Sequence, residues 1–327
     1  MKIKYAKISQ GLIEGRVLLK QQYACEIFKC LRRRGEPCFL YESKKSVMGI
    51  DPVLRMTGKN EDFTIEILNN RGQKYLDLMN LVFCDELVKI GMFIKGKVKK
   101  SHLEFEEKDR YKQKNISFVI RAILESLKQD KKVVLGLYGA FSYDFVRFFE
   151  DIHGTLPDND VNDFDFFLYD TFIISENDSL ELILYRDTKE EIVEAVAEIT
   201  EALKSSKIQE GTFELGNAKF VLSREKYENL VEIAKDYCKR GEIVEVVFSN
   251  LLCGEFNGDT YALYLKYRVA SRAPYMFYFD FGDQQLVGSS PEMMLKVEGN
   301  IVQMRPISGT AKRGNDLIED HENMLKL

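Results

Sequence analysis

Phe166-Phe167-Leu168-Tyr169-Asp170-Thr171-Phe172-Ile173-Ile174-Ser175, then Glu176-Asn177-Asp178, then Leu180-Glu181-Leu182-Ile183-Leu184-Tyr185: two apolar, aromatic-rich runs flank a three-residue turn signal. Aromatic and β-branched side chains fit a pleated, half-buried surface, and Asn and Asp accept the tight backbone between two strands. The stretch therefore predicts an antiparallel hairpin. Strand-like runs recur on both sides of it. Cys38-Phe39-Leu40-Tyr41 follows Pro37, residues 63–68 alternate, and residues 133–138 are nearly continuous in apolar character. Further on, residues 243–248 and 274–281 read as strands, and 293–297 and 301–305 flank Gly299-Asn300, a two-residue hairpin signal.

Helical periodicity is confined to a few segments. Thr188 with Glu191 three residues on has capping-box spacing, and Ile192, Val196, Ile199 and Leu203 repeat at helical intervals behind it. A second helix starts at Ser223, places Tyr227, Leu230, Val231, Ala234, Tyr237 and Cys238 on one face, and stops at Arg240-Gly241. Residues 260–269 predict a third. Many hairpins and few strand–helix–strand crossovers predict an α+β fold: mainly antiparallel sheets, sandwich-like, with helices packed outside. No GxGxxG or GxxxxGK[ST] loop occurs, so the doubly wound nucleotide folds are excluded.

The chain of 327 residues is 45% hydrophobic and 30% charged, which suits a globular protein with a sizeable core. Its 47 Lys+Arg and 52 Asp+Glu leave a net charge of −5, against a nucleic-acid partner, although four lysines lie between Lys95 and Lys100. No apolar run approaches the roughly 20 residues of a membrane span. Met1-Lys2-Ile3-Lys4-Tyr5 lacks the apolar stretch of a secretory signal. The six cysteines are scattered without a CxxC pair and the three histidines lie far apart, so the chain reads as cytoplasmic, with reduced thiols and no zinc site. Residues 316–327 predict a helix carrying Leu317, Ile318, Met324, Leu325 and Leu327 with no polar tail, the mark of a chain cut short.

Four blocks follow one another between Arg240 and Gly314. They are Arg240-Gly241-Glu242-Ile243-Val244-Glu245-Val246-Val247-Phe248-Ser249, Ala273-Pro274-Tyr275-Met276-Phe277-Tyr278-Phe279, Val287-Gly288-Ser289-Ser290-Pro291-Glu292 and Arg305-Pro306-Ile307-Ser308-Gly309-Thr310-Ala311-Lys312-Arg313-Gly314. In that order they resemble the chorismate-utilising enzymes, most closely the large component of anthranilate synthase. Phe39-Leu40-Tyr41-Glu42-Ser43 is similar to that family's early LLES strand, and Leu137-Tyr138-Gly139-Ala140-Phe141-Ser142-Tyr143-Asp144 to its mid-chain glycine-aromatic segment. The resemblance divides the chain into an N-terminal region, 1–210, carrying the tryptophan-site strand, and the first part of a chorismate-binding region, 211–327. It also implies that about a third of a family member lies beyond Leu327.

The resemblance implies a lyase reaction in tryptophan biosynthesis: chorismate and ammonia give anthranilate and pyruvate. Ammonia would come from glutamine through a glutaminase subunit or fused domain. Mg²⁺ is the implied cofactor, with its glutamate ligands, the acid/base histidine and the pyruvyl-binding arginine all expected beyond residue 327. Gly309 and Thr310 match the family's chorismate contact; a glycine admits close backbone N–H approach to a carboxylate, and a threonine hydroxyl adds a donor. Glu292 matches a glutamate near the active site. Ser308 stands where aminodeoxychorismate synthases carry a nucleophilic lysine, and a hydroxyl without an adjacent base does not replace that amine. This favours direct attack by ammonia, as in anthranilate synthase or 2-amino-2-deoxyisochorismate synthase. Ser43, Pro274, Tyr275 and Met276 match the family's feedback site for tryptophan, where an aromatic face and a thioether suit an indole. A different class also stays open if the chain ends at Leu327: a non-catalytic tryptophan-binding module.

Overall fold

The computed structural model describes residues 2–8, 11–19, 24–33, 35–101, 106–128, 134–150, 159–177, 179–205, 211–271, 273–307 and 309–326. Backbone contacts gather them into two units, Met1–Ile208 with Ala273–Leu327, and Gln209–Arg272.

The first unit is built on two antiparallel sheets. Strand β1 (Ile3–Lys7) pairs with β2 (Ile13–Leu18), and helix α1 (Ala24–Leu31) follows. A hairpin of β3 (Cys38–Glu42) and β4 (Ser46–Gly49) leads into a second, β5 (Leu54–Lys59) and β6 (Asp62–Ile67). After helix α2 (Gly72–Asp77) come β7 (Glu86–Ile90), β8 (Phe93–Lys97), helix α3 (Ser117–Ser126) and β9 (Gly136–Phe141). Then β10 (Phe164–Tyr169), β11 (Thr171–Glu176) and β12 (Ser179–Arg186) precede helix α4 (Lys189–Ser205). In the second unit β13 (Phe213–Phe220), helix α5 (Arg224–Lys239), β14 (Leu252–Gly258) and helix α6 (Thr260–Ser271) occur in that order. The chain returns to the first unit as β15 (Tyr275–Asp280), β16 (Gln285–Ser290), β17 (Met293–Glu298), β18 (Ile301–Arg305) and helix α7 (Leu317–Lys326).

One sheet has eight strands in the order β1-β2-β12-β11-β4-β3-β15-β16, the other six in the order β7-β8-β6-β5-β10-β9. Every pairing among the described residues is antiparallel, and the expected α+β architecture of sheets with helices outside is what the chain adopts. Phe39 of the larger sheet stacks on Tyr138 of the smaller at 4.4 Å, and Tyr138 meets Phe172 at 5.4 Å, so the two sheets face each other through aromatic rings. On the other side of the larger sheet Phe28 of α1 packs edge-on against Tyr278 at 5.9 Å. Gly15 leaves room there for Ile192 of α4; an added Cβ would lie 2.5 Å from its methyl. On the smaller sheet a Cβ at Gly58 would meet Phe164 and Ile116 within 2.8 Å, which places the start of α3 directly on that face.

The opening hairpin of the sequence reading is present, with Asn177 at φ 49° in the turn between β11 and β12; Asp178 lies outside the described residues. The run 166–175 is not one strand, however. It breaks at Asp170, so that β10 belongs to the smaller sheet and β11 to the larger. Asp170 is fully buried, accepts from Arg71 Nε at 2.8 Å and lies 3.0 Å from Arg186 Nη1. The corner thus carries a charge held by two guanidiniums, which apolar periodicity does not reveal.

Helix α4 has the expected cap: the Glu191 amide donates to Thr188 Oγ1 at 3.2 Å, and Glu191 Oε2 accepts the Asp187 amide at 3.1 Å. In the second unit Ser223 caps α5, and Gly241 at φ 74° ends it. The strand expected at 243–248 does not form. Among the described residues no strand forms a ladder with it, and an extended segment without a ladder partner is not a strand. Val244 and Val247 stand exposed as a result. The hairpin β17–β18 turns at Gly299 (φ 58°) and pairs as expected, but its strands are almost wholly exposed, and α7 buries no residue.

Candidate functional site

Strands β3 and β15 are 233 positions apart in sequence and adjacent in the larger sheet, with Glu42 opposite Met276, Tyr41 opposite Phe277 and Leu40 opposite Tyr278. This pairing brings the two halves of the expected tryptophan site to one edge of β3. The ladder ends there. Ser43 opens the three-residue turn to β4, its hydroxyl donating to Lys45 O at 3.1 Å and accepting the Lys45 amide at 3.4 Å. One step further along the same register lies Tyr275, the first residue of β15, preceded by exposed Pro274.

Because successive strand residues point to opposite faces, Tyr275 and Met276 do not wall the same side. Tyr275 shares a face with Phe277 and Phe279, the side that meets the smaller sheet through Phe39. Met276, 5% exposed, lies with Glu42 and Tyr278 on the side covered by α1. A ligand touching Ser43, Pro274, Tyr275 and Met276 together must therefore sit at the strand ends rather than on either face. Tyr41 belongs to that place too: its ring stacks on Tyr275 at 6.4 Å, and burial, followed by the neighbouring Tyr275, pushes its phenol above the usual range. The sequence reading passed over Tyr41, although its position two residues before Ser43 is the signal, since that spacing keeps one face of a strand.

Glu292, Gly309 and Thr310 are all exposed. Glu292 follows the Ser290 turn, where its amide donates to Ser290 Oγ at 3.1 Å and its carbonyl accepts from that hydroxyl at 2.8 Å. It directly precedes β17 and Pro306 directly follows β18, so the Met293–Arg305 pairing leaves these two residues at the open end of the hairpin. Ser308 lies outside the described residues. Among the described residues no three His, Cys, Asp or Glu side chains converge as metal ligands. None of the six cysteines forms a disulfide, and none of the described helices is long and apolar enough to cross a membrane.

A groove of about 470 Å³ lies between α1 and α4, floored by Arg71, Arg186 and Thr171 and rimmed by Glu191, Glu194 and Glu198. In the second unit an apolar groove of about 640 Å³ separates the Tyr227, Val231, Ala234 and Cys238 face of α5 from residues 245–248.

A family described as chorismate binding enzyme matches residues 85–327. The chain is 30% identical to anthranilate synthase component 1 of Aquifex aeolicus over 201 residues, 57% of this chain and 40% of that protein. It is 33% identical to the component 1 of Saccharolobus solfataricus over 193 residues, 59% of this chain and 43% of that one. The chain thus matches about two fifths of the length of these curated relatives. Among solved structures it is similar in fold to anthranilate synthase component I from Streptococcus pneumoniae, with TM-score 0.54 and 19% identity, covering 79% of this chain and 52% of that one. It is also similar in fold to the menaquinone-specific isochorismate synthase of Escherichia coli, with TM-score 0.50 and 12% identity over 99% of this chain and 60% of that one.

Proposed function

The chain belongs to the chorismate-binding enzymes, and from that premise we propose that it serves as anthranilate synthase component I, forming anthranilate and pyruvate from chorismate and ammonia under feedback control by tryptophan. The observation that carries the reading is the β3–β15 pairing, which puts Ser43, Tyr41, Pro274 and Tyr275 at one strand end. An indole would lie against the Tyr275 ring there, and its amino-acid head would meet the exposed turn at Ser43, where water and backbone groups accept an ammonium. Met276 would touch the same ligand from the other side of β15.

For chorismate, the Gly309 backbone and the Thr310 hydroxyl would donate to a carboxylate at the open end of β17–β18, and Glu292 at that end would orient the ring. Mg²⁺ would supply a Lewis acid for loss of the ring hydroxyl. Ammonia would come from a glutaminase subunit or domain, and the setting is the cytoplasm. The 2-amino-2-deoxyisochorismate and aminodeoxychorismate synthases remain the neighbouring reactions, and the absence of lysine at Ser308 disfavours the second of these. A second reading, a tryptophan-binding module without catalysis, is supported by the contrast between the strand-end site, set in a packed sheet, and the exposed Glu292, Gly309 and Thr310.

The chain contains no tryptophan, so the fluorescence of added tryptophan can be read against tyrosine alone. We expect its emission to shift to the blue and its polarisation to rise with the protein, and Tyr275→Ala to remove the effect. In parallel, chorismate, Mg²⁺ and ammonium are supplied and anthranilate fluorescence is followed. Anthranilate that disappears with tryptophan supports the enzyme reading. Tryptophan binding without anthranilate supports the second reading, and neither signal overturns both.

A further inference from the structure

Each sheet of the first unit ends in two edge strands, and these edges differ in how they are guarded. An edge strand offers unpaired backbone groups, which proteins usually shield with lysines, proline or a cover. β1, at the edge of the larger sheet, carries Lys4 and Lys7. β7, at the edge of the smaller sheet, is exposed along all five residues and carries a single lysine, Lys89, among Leu87, Val88 and Ile90 at 47%, 55% and 58% exposure. Met92 and Phe93 continue the apolar strip around the turn to β8. We propose that β7 pairs antiparallel with β7 of a second copy of this chain, joining two six-stranded sheets into one across a two-fold axis.

The charges select both the occupant and the register. A two-fold axis normal to a sheet makes one residue face its own copy, and residues directly opposite share a face. Facing Lys89 with itself opposes like charges, which is unfavourable. Facing Val88 with itself sets Lys89 against Leu87 and Glu86 against Ile90, so that each charge meets an apolar partner. Facing Leu87 with itself sets Asp85 against Lys89 of the second copy, twice, on either side of a Leu87–Leu87 contact. Only this last register matches opposite charges across the axis. Asp85 has the capacity for it: its Oδ2 takes the Lys99 amide and Lys114 Nζ, both at 2.8 Å, leaving Oδ1 for the new partner. Lys89 holds Gln73 Oε1 at 3.3 Å through one of its three donors and has two more to offer. The inference does not depend on the reaction the protein performs.

Sedimentation equilibrium on the full chain over a range of concentrations tests it. We expect a reversible dimer, and Leu87→Lys, which puts two ammonium groups face to face, to weaken it by at least about tenfold. Lys89→Asp, which sets a carboxylate against Asp85 of the second copy, is expected to weaken it also. Hydrogen exchange at the amides of 86–90 should slow as the dimer fills. Circular dichroism checks that each variant keeps its fold, which the exposure of Leu87 and Lys89 favours. A chain that stays monomeric at high concentration overturns the inference. So does a dimer indifferent to Leu87→Lys, because it would be built on another face, and so does one that Lys89→Asp leaves unweakened while the fold is kept.

Discussion

Asp170 shows how one residue can set the course of the chain. It stands between β10 and β11, fully buried, with Arg71 and Arg186 on its two oxygens and its neighbour Thr171 bonded to Arg186 Nη2 at 2.9 Å. A carboxylate away from water must keep its partners, and removing it leaves a buried guanidinium at Arg186, itself 7% exposed, without its ion pair. Asp170→Ala should cost about 3–5 kcal/mol in urea unfolding. Asp51→Asn, which suits the left-handed backbone there (φ 52°), removes the more exposed charge partner of Arg71 and should cost no more than about 1 kcal/mol. Equal effects from the two would refute the view that burial, rather than pairing as such, makes the corner. Phe39 contributes in a different way, through ring contacts with Tyr138, Tyr169 and Phe279 between 4.4 and 5.3 Å, and joins the two sheets without any charge.

At the scale of elements, the first turn of α4 is secured by Thr188 and Glu191, and its buried stripe by Ile192 and Val196. Loss of the capping hydroxyl leaves an amide of the first turn to solvent, so Thr188→Ala should lower stability by about 1 kcal/mol. Equilibrium unfolding of the variant checks this, and an unchanged midpoint would mean that packing on Gly15 alone holds the helix end. The strand-end site depends on elements as well. Ser43 and Tyr275 are legible as motif residues, but their meeting follows from the β3–β15 ladder, which no local pattern encodes. Tyr41 joins them through its ring, which stacks on Tyr275 at 6.4 Å. Residues 243–248 fail in the opposite way: their composition is that of a strand, and without a ladder partner they remain irregular.

Over the whole molecule, burial is distributed unevenly. The aromatic and aliphatic core holds β5, β6, β10, β11 and β12, whereas β13, β14, β17 and β18 expose most of their residues. Local opening is easiest where few apolar contacts are lost. Amides of β13, β14, β17 and β18 should therefore exchange with deuterium well before those of β10–β12, and the dye ANS should bind to the folded chain through exposed side chains such as Met294, Val302 and Leu325. Uniform exchange across both groups, with no dye binding, would contradict that distribution.

The sequence alone determined the elements whose signals are local. The turn at 176–178, the caps at Thr188 and Ser223, the Gly241 stop and the Gly299-Asn300 hairpin are each written in a few adjacent residues whose backbone or hydrogen-bonding preferences act over short range. It also determined the antiparallel α+β class, because many hairpins with few crossovers leave few other arrangements, and the ordered motifs from Arg240 to Gly314 pointed to the chorismate-utilising enzymes. Tertiary structure decided the rest: that β10 and β11 part at Asp170 into different sheets, that β3 and β15 lie side by side, that Tyr275 and Met276 face opposite ways, and that β7 is an open edge. Each of these depends on which distant strand takes up a row of backbone hydrogen bonds. That choice is made by packing over the whole core, and no window of neighbouring residues contains it.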